Sequence, residues 1–561
     1  MTSRLRRHAL LAAIIVLATF MRLWALGEWP HGLDADEVSI GYNAYSVLHT
    51  GADEYGERWP AAFRAFGEYK RPLPIYATVP AIALFGLNPT AVRLPAALIG
   101  VASVPLLYAL VLCLLRVRVL ALWASLFLAV SPWHIQFTRG AREASFLFFA
   151  TLWLALALFA ALRSPPVRSG IWLCAAAVAL LTGVYSYPSG VVFLPLLAGV
   201  VLLTRRRRTA RLLQAIPRIW AAAAAGVLLV GFIPLGVQFA DGRAGARYAA
   251  VSIWSNPGVV ADSEQRTVRD RAHGAPDVLQ HPFVIATRRA ADAYVSQFNP
   301  SYLFTSGDQE PRHHVSDHGN FYLWDLPSIL AGLVVVSRRL RWAPARVILG
   351  WLAVGAIPGS LTVQSPHAVR SLVMLPAWEM LAAVGTIPLW RWMSRRQLHW
   401  DWLALLGLSA VFYLYMAIGH YRYEHAGSFS SGWLETFALA DAEVRAGGSD
   451  SVYIPSDLPA PKDAYIYALF ATAYDPAAYL AQGGSRANPS SPYYPSAGPM
   501  HFVPFEVRPE KMAAFAEQPA PRTLYVYSAD APLPPGARVV RDMRALSGRV
   551  TLRLVDFPSA I

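Results

Sequence analysis

Three carboxylates lie close together near the N-terminus of the sequence. Asp34, Asp36 and Glu37 fall immediately before a helix-like stretch at residues 38–48. Carboxylates at the start of a helix cap exposed backbone amides and complement the helix dipole. A cap does not require three acidic groups, so we expect one of them to cap the helix and the group as a whole to do chemistry. A carboxylate in such a position can accept a proton from an attacking hydroxyl group.

The segment GEYKRPLPIY in the same loop places Glu68 and Lys70 just before Pro72 and Pro74. A lysine at a membrane surface can hold a lipid phosphate, because its compact charge needs no fixed bidentate geometry. A basic residue that anchors a helix end at the lipid headgroups explains the same pattern. From these residues alone the two interpretations are equally good.

A second polar segment, SPWHIQFTRGAREASF, contains Arg139, Arg142 and Glu143 directly before an apolar run. The topology derived below places it on the outer side of a membrane, where arginines oppose the usual charge bias and cost insertion energy. An anionic ligand would offset that cost. A structural ion pair with the acids of the first loop is the alternative.

Other polar residues lie at the outer ends of predicted membrane helices. SPHAVRS contains His367 and Arg370, and YSYPSG contains Tyr185 and Tyr187. We count Arg370 among the candidate phosphate-binding residues and His367 and Tyr187 as supporting residues. Tyrosines at such positions are also ordinary members of an interfacial aromatic belt.

A histidine-rich stretch in a long loop is the candidate metal site of the sequence. His313, His314, Asp317 and His318 could bind a metal, although a solvated polar loop explains them more simply. No ligand spacing is strong enough to assert a metal. The sequence therefore predicts no certain cofactor and leaves a divalent metal as an open alternative.

Composition assigns the chain to a membrane. Hydrophobic residues make up 55% of the 561 positions and charged residues only 15%, which a water-soluble surface could not accommodate. The net charge of +14 comes from arginines in short clusters between apolar runs, which is a pattern of topology signals and not of nucleic-acid binding. Both cysteines, Cys113 and Cys174, lie inside apolar runs, so a disulfide framework is excluded.

Apolar runs of bilayer-spanning length predict about eleven transmembrane helices. They lie at residues 9–26, 94–115, 119–133, 144–162, 170–185, 190–204, 219–239, 321–336, 347–363, 371–389 and 402–418. The first run follows three arginines and lacks a small-residue cleavage site, so we interpret it as an uncleaved helix.

Arginine clusters in alternate connections set the orientation. By the positive-inside rule the connections that carry them are cytoplasmic. The opposite connections, which hold every candidate site residue, then face outwards; they are residues 27–93, 134–143, 186–189, 240–320, 364–370 and all residues after 419. The apolar run 72–87 would invert this pattern if it crossed, so we predict an interfacial or re-entrant helix there.

The sequence divides into two predicted domains. Residues 1–419 form the transmembrane domain, with its main outer loops at 27–93 and 240–320, and residues 420–561 form a soluble extracytoplasmic domain. Short β-rich stretches at 451–454, 524–527 and 550–555 accompany helix-like stretches at 433–445 and 463–474. This alternation predicts a small α/β arrangement.

The ordered set of outer-side segments resembles the GT-C glycosyltransferases, in the branch of protein O-mannosyltransferases and the bacterial lipid A aminoarabinose transferase. The matching residues are Asp36 with Glu37, GEYKRPLPIY around Lys70, AVRLPAAL at residues 91–98 and SPWHIQFTRGAREASF. The resemblance covers the chain to about residue 211 well and to about residue 419 loosely. It implies a mainly α, polytopic GT-C-like fold in a plasma (inner) membrane.

The resemblance also implies an activity, namely transfer of a sugar from a polyprenyl-phosphate carrier to an acceptor hydroxyl on the outer side. Asp36 corresponds to the first-loop acid of the family and Lys70 to the phosphate-binding lysine of the aminoarabinose transferase. In that transferase a glutamate directly precedes the lysine, whereas Tyr69 intervenes here. Glu68 is therefore only a supporting residue, and Glu143 is carried over weakly.

The residues fit this chemistry independently of the resemblance. Attack at an anomeric carbon needs a carboxylate to take the acceptor proton and positive charge where the phosphate leaves. We predict that Asp36 is this base, with Glu37 as the second catalytic residue. The candidates for stabilising the departing phosphate are Lys70, Arg139, Arg142 and Arg370. One carboxylate with one cationic cluster predicts inversion. A transporter of lipid phosphates or glycolipids and an enzyme that moves a phosphorylated group are the alternatives. Besides membrane lipids, the predicted partners are a hexosyl or pentosyl lipid donor and an unknown acceptor, which could be a lipid, a polysaccharide or a protein.

Overall fold

The structure is a computed structural model. It describes residues 3–243, 251–274, 278–447, 449, 451–454, 464–486, 500–502, 523–530, 532, 533, 536–544, 546 and 548–556.

Helices dominate the described part of the chain. From the N-terminus they are α1 (Ser3–Leu23), α2 (Ala35–Thr50), α3 (Pro72–Phe85), α4 (Pro89–Leu115), α5 (Arg118–Val130), α6 (Pro132–Arg139), α7 (Glu143–Ala161), α8 (Pro166–Val184), α9 (Gly190–Thr204), α10 (Arg206–Ala215), α11 (Arg218–Ala240) and α12 (Pro257–Ala272). They continue with α13 (Pro282–Ser296), α14 (Pro300–Phe304), α15 (Leu326–Ser337), α16 (Ala343–Gly355), α17 (Ile357–Ser360), α18 (Ala368–Ser371), α19 (Leu375–Arg395), α20 (His399–Tyr415), α21 (Arg422–Glu424), α22 (Trp433–Arg445), α23 (Ala464–Ala471) and α24 (Pro476–Ala481).

The predicted membrane spans fall on these helices. Among the described residues, seven helices are long and apolar enough to cross a bilayer, or eight if α5 and α6, which are bent by 53°, form one span. Four shorter apolar helices, at His8–Leu23, Pro72–Phe85, Gly190–Thr204 and Leu323–Ser337, accompany them. The mainly α, polytopic membrane fold is therefore confirmed, while the exact number of crossings stays a prediction.

Helix α3 coincides with the run that was predicted to be interfacial or re-entrant. Its bounds, Pro72–Phe85, enclose 14 residues, which corresponds to a length of about 21 Å at the rise of an α-helix. A bilayer core is about 30 Å thick, so α3 alone is too short to cross it. Its placement relative to the bilayer stays a prediction.

Two glycines allow close approach between α15 and α19. A Cβ atom on Gly332 would collide with the main chain at Leu381, and one on Gly385 would collide with the carbonyl oxygen of Ser328. Small residues at such crossings let helix backbones touch, which is typical of helix packing in membranes. The backbones of α15 and α19 are therefore in direct contact at this crossing.

The C-terminal region contains a mixed sheet. After the short strands β1 (Phe63–Ala65) and β2 (Glu68–Lys70) of the first loop, the chain forms this sheet from β3 (Ser451–Ile454), β4 (Met500–Phe502), β5 (Thr523–Ser528), β6 (Arg538–Arg544) and β7 (Val550–Asp556). The order of the strands in the sheet is β4, β3, β5, β7, β6. Strand β3 pairs in parallel with β4 and β5, with Val452 opposite Leu524, and β7 is antiparallel to both β5 and β6. The predicted α/β arrangement is confirmed, and β4 and β6 are strands that the sequence analysis did not predict.

Two compact units make up the chain. One comprises Met1–Trp24, Glu68–Leu73 and Ala96–Met416, and the other comprises Ala25–Gly67, Pro74–Pro95 and Ala417–Ile561. The last change of unit lies close to the predicted boundary between residues 419 and 420. Most of the first outer loop, which the sequence analysis assigned to the transmembrane domain, clusters with the C-terminal region.

Candidate functional site

The first acidic residues form a capping box at the start of α2. The backbone N–H of Glu37 donates to Asp34 Oδ1 at 2.9 Å, and the backbone N–H of Asp34 donates to Glu37 Oε2 at 3.2 Å. Both side chains are buried. This reciprocal arrangement satisfies amides that have no partner inside the helix. The capping role expected for one of the three acids therefore involves two of them.

Glu37 is also half of a buried ion pair. Arg93 binds it in bidentate fashion, with Nε 2.7 Å from Oε1 and Nη2 3.0 Å from Oε2. Arg93 donates further hydrogen bonds to the carbonyl oxygens of Leu26, Pro30 and Gly32. Arg93 therefore joins the start of α2 to the loop that precedes it. Arg93 belongs to the AVRLPAAL segment, but its partner could not be read from sequence.

Asp36 differs from its two neighbours because its side chain is exposed. It occupies the first turn of α2, where the helix dipole favours a negative charge. Of the three clustered carboxylates it is the one with an exposed side chain. The assignments of Asp36 as the base and of Glu37 as a second catalytic residue stay predictions.

Lys70 pairs with Glu143 across the helical unit. Lys70 is the last residue of the short strand β2 (Glu68–Lys70) and is 4% exposed, and its Nζ lies 3.8 Å from Glu143 Oε1. Glu143 opens α7, where an acidic residue complements the helix dipole. The structure thus brings together the predicted phosphate-binding lysine and the acid that the family resemblance supported only weakly. Glu68 lies two residues away on the same strand.

Two further arginines belong to or contact the segment that contains Lys70. The buried Arg71 donates from Nη1 to Gln238 Oε1 at 3.3 Å. The guanidinium of Arg243 lies 6.0 Å from the ring centroid of Tyr69. The Lys-Arg pair in GEYKRPLPIY was the available signal for Arg71. Nothing in the sequence pattern pointed to Arg243.

Arg139 has a structural role that sequence did not predict. It is fully buried, and it donates from Nη1 to the carbonyl oxygen of Met21 at 3.1 Å and from Nη2 to that of Trp24 at 2.8 Å. Met21 lies in the last turn of α1 and Trp24 directly follows that helix, so both carbonyls lie at its C-terminal end, where a cation is favourable. Its neighbour Arg142 precedes α7 and is partly exposed.

The remaining predicted residues occupy separate environments. Arg370 is partly exposed and donates from Nη1 to Thr362 Oγ1 at 2.9 Å. Tyr187 is buried in the loop between α8 and α9, and the hydroxyl of Tyr185 donates to the carbonyl oxygen of Gly231 at 2.6 Å. The tyrosine hydroxyl contact ties α8 to α11, so Tyr185 has a packing role.

A buried group of Asp308, His313 and His367 could hold a metal ion. One ligand atom from each residue lies within 4.8 Å of the others. Asp308 Oδ2 is 2.9 Å from His313 Nδ1 and 3.8 Å from His367 Nδ1, and it accepts the backbone N–H of Ala368 at 2.6 Å. The three side chains therefore fit a metal ion in their distances and also in their chemistry, because imidazole and carboxylate groups are zinc ligands.

The predicted histidine stretch contributes only His313 to this group. His318 instead points Nδ1 at the carbonyl oxygen of Ser316, and Asp317 is exposed. His314 is not among the three residues that converge. Asp308 was missed because it lies upstream of the histidines, and His367 because it comes from a loop far away in sequence.

The pKa values of the three converging groups all lie below their usual values. Burial and the nearby Arg370 lower the pKa of His367 to about 3, and burial also lowers the pKa of His313. Burial acts to raise the pKa of Asp308, but the hydrogen bonds and charges of its neighbours, His313 first among them, together outweigh burial and lower that pKa to about 2. Two neutral imidazoles and one carboxylate are the protonation states that a metal requires.

Two more buried acids, Asp53 and Glu54, lie in the unit that contains Asp36. Glu54 accepts hydrogen bonds from Asn43 Nδ2 at 3.1 Å and from Ser485 Oγ at 3.0 Å. Burial raises the pKa of Glu54 to about 7 and that of the adjacent Asp53 to about 6. No sequence pattern indicated that these two neighbouring carboxyl groups would be buried.

Comparison with known proteins finds one family model that matches part of the chain. Residues 70–236 match the family model described as dolichyl-phosphate-mannose-protein mannosyltransferase. This segment includes Lys70, Arg139, Arg142 and Glu143. No curated protein matches the sequence.

Solved structures extend the likeness to nearly the whole chain. ArnT from Cupriavidus metallidurans in the apo state aligns with a TM-score of 0.55 and 15% identity, over 99% of this chain and 98% of ArnT. The same protein bound to undecaprenyl phosphate aligns with a TM-score of 0.54 and 13% identity, over 98% of each chain. The chain has the ArnT-like GT-C fold.

The resemblance that the sequence motifs indicated is thereby confirmed at the level of fold. An oligosaccharyltransferase from Archaeoglobus fulgidus also aligns, with a TM-score of 0.49 and 11% identity over 84% of this chain, and the chain spans 63% of its length. The two ArnT alignments, at 13% and 15% identity, show a shared fold, and the roles of individual residues are matters for proposal.

Proposed function

We propose that this protein is a membrane glycosyltransferase that moves a sugar from a polyprenyl-phosphate carrier to an acceptor hydroxyl. The observation that carries the proposal is the alignment with ArnT over nearly the full length of both chains, including the form that holds undecaprenyl phosphate. The family-model match over residues 70–236 supports the same class of donor. We propose a hexose or pentose as the sugar.

The reaction assigned to the site is a single displacement. The acceptor oxygen attacks the anomeric carbon, the bond from that carbon to the phosphate oxygen breaks, and the carrier leaves as a polyprenyl phosphate. We propose that Asp36 takes the acceptor proton, because it is the exposed carboxylate of its cluster. Attack from the face opposite the leaving phosphate inverts the anomeric carbon.

Cations are required where negative charge develops on the departing phosphate. Lys70, Arg142 and Arg370 are the proposed phosphate-binding residues. The match of Lys70 to the family segment supports its assignment, and partial exposure of Arg142 and Arg370 supports theirs. Arg139 donates to carbonyl groups of α1, so we propose that it contributes its charge from a buried position.

The proposed location is the plasma membrane, with the reaction on the extracytoplasmic side. The clusters of arginine in alternate connections support this orientation, because positively charged loops remain in the cytoplasm. The C-terminal region after residue 419 would then face outwards with the first loop. Its role in presenting an acceptor is part of the same proposal.

The test is to follow the fate of the donor. Purified protein in lipid nanodiscs is incubated with a panel of radiolabelled polyprenyl-phosphate hexoses and pentoses, and the label and the carrier are analysed separately. We expect one donor to be consumed, with free polyprenyl phosphate released in proportion to the transferred or hydrolysed sugar. Intact donor after prolonged incubation with every member of the panel would contradict the proposal.

The same experiment separates the competing classes of protein. A transporter for lipid phosphates or glycolipids moves the donor between leaflets and leaves it intact. An enzyme that moves a phosphorylated group releases a polyprenol without its phosphate. The chemical form of the carrier after reaction therefore distinguishes all three.

A further inference from the structure

We propose that Asp308, His313 and His367 form a binding site for one divalent metal ion of the zinc type. The bound ion connects the long loop at residues 240–320 to the segment that contains Arg370. The site does not depend on the proposed transferase activity. It joins residues that are far apart in sequence, since His367 lies in the loop before α18.

The geometry suits tetrahedral coordination. Bonds of 2.0–2.1 Å to nitrogen and oxygen ligands in a tetrahedron place neighbouring ligand atoms about 3.4 Å apart. The distances from Asp308 Oδ2 to the Nδ1 atoms of His313 and His367 are 2.9 Å and 3.8 Å, on either side of that value. Shifts of about half an ångström in the side chains would complete the first three bonds. Two imidazoles and one carboxylate with one open position are a known zinc ligand set.

A second observation points to a missing partner at this position. His367 is only 8% exposed, and its buried Nδ1 atom makes no hydrogen bond to any described residue. A buried polar atom without a partner costs free energy and calls for an explanation such as a bound ion. A metal ion shared with Asp308 would satisfy it.

The surroundings support the carboxylate in the role of ligand. The backbone N–H of Ala368 donates to Asp308 Oδ2 at 2.6 Å, which is the kind of outer hydrogen bond that orients metal-binding carboxylates. The rings of His313 and His367 lie with their centroids 5.0 Å apart, so both can face one ion. The three side chains come from the 308–313 stretch and from residue 367. One ion therefore fixes the position of Arg370, three residues further on.

The alternative is that the three side chains form a group without a metal, in which His313 donates a hydrogen bond to Asp308 and His367 packs beside them. This arrangement holds His313 and Asp308 without a metal, but it leaves His367 Nδ1 without a partner. It also predicts no affinity for a metal ion.

Cobalt substitution tests the proposal without reference to activity. The full-length protein, carrying an affinity tag that contains no histidine, is treated with a chelator in nanodiscs and titrated with Co²⁺. We expect one Co²⁺ per chain with the strong visible absorption of a tetrahedral complex, and loss of that absorption when one equivalent of Zn²⁺ is added. Wild-type protein that remains folded and shows no saturable Co²⁺ absorption would overturn the proposal.

Variants assign the binding to these residues. His367→Gln and, independently, Asp308→Asn are expected to weaken Co²⁺ binding at least 100-fold and to abolish the tetrahedral absorption. His314→Gln, which changes the neighbouring histidine of the same loop, is the matched control and is expected to bind as the wild type does. Gel filtration confirms that each variant is folded. Unchanged Co²⁺ binding in folded His367→Gln or Asp308→Asn would show that the ion binds elsewhere and would refute the site.

Discussion

Removing one partner of the buried pair between Arg93 and Glu37 should destabilise the protein strongly. Arg93→Met leaves the Glu37 carboxylate buried without its bidentate partner and takes donors away from the carbonyl oxygens of Leu26, Pro30 and Gly32. Breaking a buried ion pair in this way typically costs about 3–5 kcal/mol. For a unit of 150–250 residues each kcal/mol lowers the melting temperature by about 2–4 °C, so we expect a decrease on the order of 10 °C.

Two measurements detect the loss of stability expected in Arg93→Met. Thermal unfolding in nanodiscs, monitored by tryptophan fluorescence, gives the overall change, and hydrogen exchange of the amides in α2 reports the local loosening that the capping box predicts. Arg58→Met is the control, because Arg58 is an exposed arginine of the same loop. The double variant Arg93→Met with Glu37→Leu should recover more than half of the loss, since it removes both buried charges.

This reasoning fails if Arg93→Met costs no more than Arg58→Met. It also fails if the double variant is as unstable as the sum of its two single variants. Either result would mean that Glu37 is not held by Arg93 in solution, and Glu37 would again be a candidate for direct catalysis.

Three further predictions concern the donor site, the helix crossing and the buried acid. Lys70→Met should weaken binding of polyprenyl phosphate about 10–100-fold, as loss of a charge-assisted hydrogen bond implies, and unchanged binding by calorimetry would remove Lys70 from the phosphate site. Gly385→Val should lower stability by about 1–3 kcal/mol through collision with the main chain of α15, whereas Gly407→Val, which meets open space, should not. Burial raises the pKa of Glu54 from 4.5 to about 7, so its contribution to stability is complete below pH 4.5 and falls by about 3 kcal/mol as the pH rises through 7. Melting temperatures at pH 5 and pH 8 should therefore differ less in Glu54→Gln than in the wild type, while Glu57→Gln should leave the difference intact.

Hydrophobic run length was a reliable guide to the helices of this fold. Each predicted span falls on helix because a bilayer-spanning segment must satisfy its own backbone hydrogen bonds, and this requirement is local. The grouping of residues 25–67 with the C-terminal region could not be read in the same way. It depends on contacts between segments hundreds of residues apart, such as the hydrogen bond from the hydroxyl of Tyr467 to the carbonyl oxygen of Leu33.

The candidate site was predictable in composition and not in pairing. A helix cap among the three acids was predictable because they lie directly before a helix. The place of Lys70 just before α3 was predictable from the segment GEYKRPLPIY. The assignment of Glu37 to Arg93 and of Arg139 to the carbonyl oxygens of α1 depends on tertiary contacts. Two of the three clustered carboxylates, Asp34 and Glu37, also have a role in the fold, which their clustering in the sequence could not show.

The group of Asp308, His313 and His367 also could not be predicted from the sequence. Sequence pointed to His313 and its neighbours, since adjacent histidines are visible as a run. The structure instead selects His313 together with His367, which belongs to a different loop. Ligands that meet only in three dimensions leave no spacing signal in a single sequence.

The most direct test of the central claim compares the wild type with Asp36→Asn, using the donor that the panel identifies. The substitution removes the proposed proton acceptor while keeping the size of an exposed side chain. We predict that the turnover of donor falls about 10²–10⁴-fold while the affinity for polyprenyl phosphate and the melting temperature are unchanged. Equal rates of sugar transfer by the two proteins would contradict the assignment of Asp36 as the base.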